Sequence, residues 1–229
     1  MSSELKTNKI SPATGTALQI SDSGDTTTIP SGATLDIASG ATIDATGATI
    51  TGFPEGGLQL ITSATNNSSV ANWDFTDCFS ATYSNYLVTI NGMISPVNQE
   101  LRVSIGTSDL SSLQSFNFVM WQTNMSGSTT YRATSGTTVT YVDLNNTSSS
   151  SEPTDVQMVI HNPFSSSLDT KITGQSTYYA NNSTYSHGLI GAMTHPAASG
   201  ASMRLSSSSG NIGSSSYTAR VSIYGLAES

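Results

Sequence analysis

The chain has 229 residues, seven Lys and Arg against fifteen Asp and Glu, and a net charge of −8; only 10% of its residues are charged and 36% are hydrophobic. Ser, Thr, Asn and Gly fill a gap left by a charged fraction well below the usual quarter or so. The cations Lys6, Lys9, Arg102, Arg132, Lys171, Arg204 and Arg220 are scattered, which excludes nucleic acid as a partner; the single Cys78 excludes an intrachain disulfide, and no apolar run nears the roughly 18 residues of a membrane span.

Three zones follow one another along the chain. Residues 1–28 are polar, with short apolar touches at Leu5, Ile10, Leu18 and Ile20. They are too few to fold alone and predict an arm that becomes ordered on a partner, for example by adding strands to a sheet edge. The opening "MSSELKTNKISP" has no apolar signal-peptide core. Residues 29–57 contain Gly-Ala-Thr-(Leu/Ile) three times, at Gly32, Gly40 and Gly47. Stacked repeats need neighbours to bury a continuous core. The aliphatics Leu35, Ile37, Ile43 and Ile50 are sparse for one chain, but three chains wound together would share them as a homotrimeric stem. The segment ends in "GFPEGG", a Gly/Pro joint.

Residues 58–229 read as strand after strand: "LQLIT" (58–62), "YLVTI" (86–90), "ELRVSIG" (100–106), "FNFVMWQT" (116–123), "TVTYVDL" (138–144), "VQMVIHN" (156–162), "SMRLSS" (202–207) and "YTARVSIYGL" (217–226). Several alternate with period two, the mark of a strand with one buried face. Ser/Thr/Asn/Gly loops separate them, and no segment holds a helical period. The expected fold class is all-β, with an extended arm, a short trimeric repeat stem and a jelly-roll-like sandwich head. Cys78, between aromatics in "NWDFTDCFSATY", is expected to be a small buried hydrophobe.

Few residues suggest chemistry. His161, His187 and His195 lack metal-site spacing, and there is no G-x-S-x-G elbow. The carboxylate pairs Asp22/Asp25, Asp74/Asp77 and Glu152/Asp155 suit turns better than glycoside hydrolysis. "DSGD" (22–25) lacks the remaining ligands of a calcium loop. No metal or cofactor is expected. The sequons at Asn67, Asn146 and Asn182 read as loop composition. The stretch "STYYANNSTYSHG" (176–188) is the nearest to a binding surface: Tyr178, Tyr179, Tyr185 and His187 offer flat apolar faces beside adjustable polar groups. The alternative is that these tyrosines complete the core or a subunit interface.

The words "KTNKISPATGTALQI" (6–20) and "IPSGATLDI" (29–37) resemble the N-terminal part of fibre and capsid-associated fibre proteins of marine tailed phages. "NWDFTDCFSATYSNYLVTI" (72–90), "MVIHNPF" (158–164) and "ARVSIYGL" (219–226) resemble strands of phage fibre heads. The resemblance covers most of the chain and supplies no residue-level receptor site. It implies a homotrimeric virion structural protein on the particle surface, made in the host cytoplasm. It further implies an arm held by another virion protein and a head that meets a glycan or protein of the host surface. A capsid decoration protein and a surface-glycan hydrolase are the alternatives.

Overall fold

Tyr86, Val88 and Ile90 alternate with Leu87 and Thr89, and in the computed structural model the first three are fully buried. The structure describes residues 57–95, 99–125, 127, 129–133, 139–145, 152–180, 185–194 and 197–227, with Thr26, Thr28, Ser31, Gly32 and Thr34 isolated before them. The arm residues Leu5, Ile10, Leu18 and Ile20 lie outside the described residues. So do the stem aliphatics Leu35, Ile37, Ile43 and Ile50, the pair Asp22/Asp25, and His195.

The described residues form twelve strands and no helix, so none could cross a membrane as a helix. In chain order they are β1 (Gly57–Asn66), β2 (Asn72–Phe75), β3 (Asn85–Met93), β4 (Leu101–Gly106), β5 (Phe116–Asn124), β6 (Thr129–Ala133), β7 (Val142–Asp143), β8 (Thr154–His161), β9 (Lys171–Tyr179), β10 (Tyr185–Thr194), β11 (Ser202–Ser207) and β12 (Ala219–Ala227). They make two antiparallel sheets, a large one ordered β1-β12-β3-β8-β9-β10-β5-β6 and a small one ordered β2-β11-β4-β7. The protein is all-β, and the described residues 57–227 form a two-sheet sandwich with strands divided eight and four.

One core joins the sheets. Tyr86, Val88, Ile90, Met158, Ile160, Phe116, Met120 and Ile223 come from the large sheet, and Leu101, Val103, Ile105, Met203 and Leu205 from the small one. Truncating such an aliphatic to Ala costs about 2–5 kcal/mol. Tyr86 also ties down the segment before its strand: its hydroxyl donates to the Ser80 carbonyl at 3.0 Å and accepts from the Ser80 amide at 2.8 Å. Phe79 and Tyr83 meet its ring edge-on, with centroids 4.8 and 5.9 Å away. Tyr83 in turn lies over Gly225, where a Cβ would come within 2.5 Å of its ring, so the glycine of the closing strand is a packing requirement. Cys78 is 3% exposed, and burial pushes its thiol up to about 12.

On the outside of the small sheet the charges are paired. Arg204 grips Asp74 through two bonds of 2.7 Å. Arg102 donates to Asp143 at 2.9 Å, with its guanidinium 3.7 Å above the Tyr141 ring.

Candidate functional site

The strands of the large sheet bury one face and present the other. Along β8, Val156, Met158 and Ile160 are buried while Asp155 and Gln157 are exposed; along β5, Phe116, Phe118 and Met120 are buried while Asn117 and Trp121 are exposed. Cross-strand register then orders the outer residues into rows running across the sheet.

One row carries Leu60, Tyr224, Leu87, Val159, Thr173, Gly191, Val119 and Ala133, each opposite the next. The next row carries Ser222, Thr89, Gln157, Gln175, Leu189, Trp121 and Tyr131. A third brings together Asp155, Thr177, His187, Thr123 and Thr129. Beyond it, Tyr179 faces Tyr185. From the aliphatic row the face passes along the strands to amide and aromatic groups, then to hydroxyl and imidazole. Toward the end at which β1 begins, one further row carries Leu58, Leu226, Asn85, His161, Lys171, Met193 and Asn117.

The stretch 176–188 is not one loop: its two ends are the close of β9 and the opening of β10. Strand alternation separates its tyrosines. Tyr178 points inward and is 2% exposed, which is the core role weighed for it. Tyr179 and Tyr185 face outward, their rings 4.9 Å apart at 66°. His187 is exposed between Thr177 and Thr123. So three of the four candidates share the outer face and the fourth does not.

His187 also joins two depressions. One, of about 350 Å³, is lined by Thr89, Asn91, Asp155, Gln157, Gln175 and Thr177 as well. The other, of about 490 Å³, is bounded by Thr123, Met125, Tyr178 and Tyr185. Asp155 accepts a 2.8 Å bond from the Gly92 amide, where β3 is irregular and Gly92 has a φ of 72°. It lies in a strand, as does Asp74, so the turn reading of these two carboxylates is corrected: Asp74 is held by Arg204 and Asp155 pins an irregular strand edge. His161 closes β8 with its Nδ1 2.6 Å from the Asn85 side-chain oxygen. Among the described residues no three His, Cys, Asp or Glu gather as a metal site would require.

Sequence reasoning missed the strongest apolar groups of this face. Trp121 is 56% exposed and Tyr131 65%, their rings 6.1 Å apart, and Leu189 is 54% exposed beside Trp121. The signal was present in "FNFVMWQT": once Phe116, Phe118 and Met120 are placed inward, Trp121 must face out. Chemically the face offers stacking surfaces, carboxamides and hydroxyls with little charge. Comparison with protein-family models, curated proteins and solved structures found no match to this chain.

Proposed function

We propose that this protein is a homotrimeric virion fibre or appendage whose head meets the host cell surface. Two things support the reading. The words at 6–20 and 29–37 resemble marine phage fibre proteins, and the head carries an exposed aromatic and carboxamide face built around Trp121, Tyr131, Gln157, Gln175, Tyr185 and His187. The second observation carries it: solvent-exposed aromatic rings beside uncharged hydrogen-bonding groups suit contact with sugar rings or a polar protein surface, and buried aromatic anchors dominate such contacts. A capsid decoration protein remains the second reading, because the resemblance extends to capsid-associated fibres. A glycan hydrolase would need two carboxylates about 5–9.5 Å apart, and the lining of each depression beside His187 includes at most one, Asp155.

The test uses full-length protein added to host cells before challenge with the particle. The intact protein is expected to bind the cells and reduce particle adsorption, and Trp121→Ala to lose most of both. Absence of cell binding by the folded wild-type chain would contradict the host-contact role.

A further inference from the structure

The two depressions beside His187 belong to a longer feature. Thr177 and His187 line both of them. Gln157 and Gln175 line the first and also a third, of about 290 Å³, which Leu87, Val159 and Leu189 border. Thr173 lines that third one and a fourth, of about 480 Å³, which reaches Met193 and Lys171. The shared residues Thr177, Gln175 and Thr173 succeed one another on the outward side of β9. The four depressions therefore join into one groove with β9 as its floor. Its length, from Thr177 to Lys171, is about 20 Å of strand. On one side stands β10, whose Tyr185, Leu189 and Met193 are 57%, 54% and 44% exposed. On the other stand Asp155 and Gln157 of β8, with Thr89 and Asn91 of β3 beyond them.

The lining selects a class of ligand. β9 is paired on both sides, with β8 and β10, so it offers no free backbone edge to an extended peptide. Bonds to a ligand must come from side chains, chiefly the Thr173 and Thr177 hydroxyls and the Gln157 and Gln175 carboxamides. Each of these groups both donates and accepts. Gln175 donates to the Gln157 oxygen in one long bond of 3.5 Å, which leaves the Gln157 amide and the Gln175 oxygen for a ligand. The fixed charges of the lining are Asp155 toward one end and Lys171 at the other, and they cancel. A polyanion would find one lysine, and a hydrocarbon chain would strip water from the central carboxamides without replacing its bonds. Sugar hydroxyls match the carboxamides and threonines in donating and accepting, and the less polar faces of sugar rings suit Tyr185, Leu189 and Met193. We propose that the groove binds an unbranched, uncharged oligosaccharide lying along β9, with Gln157 and Gln175 reading its hydroxyls. This rests on the host-contact reading above. It adds the chemical class of the ligand, the path it takes over the head and the residues that select it.

The test uses full-length protein and surface polysaccharide taken from host cells, partly hydrolysed and separated by anion exchange into uncharged and acidic fractions. The wild-type chain is expected to bind the uncharged fraction, with affinity rising with chain length until the chain spans the groove. Gln157→Ala combined with Gln175→Ala removes two exposed carboxamides and is expected to weaken that binding about tenfold, from the net worth of two hydrogen bonds, with an unchanged melting temperature. Thr65→Ala, on β1 of the same outer face and outside the groove, is expected to leave it unchanged. Binding of the acidic fraction alone, or undiminished binding by the double glutamine variant, would overturn the inference. So would binding of intact cells without binding of either fraction, and in all three cases the host-contact reading would stand. A folded wild-type chain that binds neither cells nor polysaccharide would overturn both.

Discussion

Gly174 shows how tightly the large sheet is packed at the scale of one residue. A Cβ there would lie 2.6 Å from the Gln157 carbonyl oxygen and 2.9 Å from the Met158 Cα. Backbone cannot retreat cheaply, so Gly174→Ala is expected to cost about 1–3 kcal/mol in denaturant unfolding; an unchanged midpoint would contradict the packing. Cys78 gives a pH prediction. Burial raises its thiol from 9.0 to about 12. Between those values the unfolded chain has released a proton that the folded chain keeps, so stability falls as pH rises above about 9. Cys78→Ala should flatten that part of the stability curve relative to wild type, and an unchanged slope would count against a buried thiol. Trp121→Ala, by contrast, removes an exposed ring and should shift stability by no more than about 0.5 kcal/mol, which makes it a usable binding variant.

At the scale of the element, β1 and the strands with a mostly apolar inward set are legible in the sequence, whereas β2, β6, β9 and β10 are not. β3, β4, β5, β8, β11 and β12 have inward residues such as Tyr86, Val103, Phe118, Met158, Leu205 and Val221, and their alternation shows in the sequence. β9 and β10 hide theirs: the inward positions of 174–188 include Gly174, Ser176, Ser186 and Gly188. Ser186 accepts a 3.1 Å bond from the buried Gln122 amide, so part of this interior is polar and side-chain bonded instead of apolar. β6 has no buried position among its described side chains, and so gives no pattern. The run 138–144 was expected as one strand, but its ends serve different sheets. Val139 bonds to Phe116 of β5, while only Val142–Asp143 pairs with β4. The candidate site was half legible for the same reason: aromatic content marked Tyr179, Tyr185 and His187, but only register could bring Trp121, Gln157 and Gln175 beside them. The head closes its own core and pairs β1 with β12, so deletion of residues 1–56 is expected to leave a β-rich circular dichroism spectrum and a cooperative melt. An insoluble or non-cooperative product would show that the head depends on what precedes it.

At the scale of the whole molecule, the proposal is one polarity, with the arm inward, the stem next and the head outward. Burying one aliphatic side chain is worth about 1.5–3 kcal/mol, so in the proposed stem Leu35, Ile37, Ile43 and Ile50 would favour association of three chains. Full-length protein at micromolar concentration is expected to sediment at three times its 23.8 kDa chain mass. The arm is expected to anchor it: protein lacking residues 1–28 should fail to join particles that lack the native chain, and incorporation equal to full length would reverse the proposed polarity. The most direct measurement is to image intact particles labelled with an antibody raised against the head. Label is expected on outward projections at the tail or at vertices. Label at hexamer centres of the capsid would make the chain a decoration protein, and particles without label would remove it from the virion altogether.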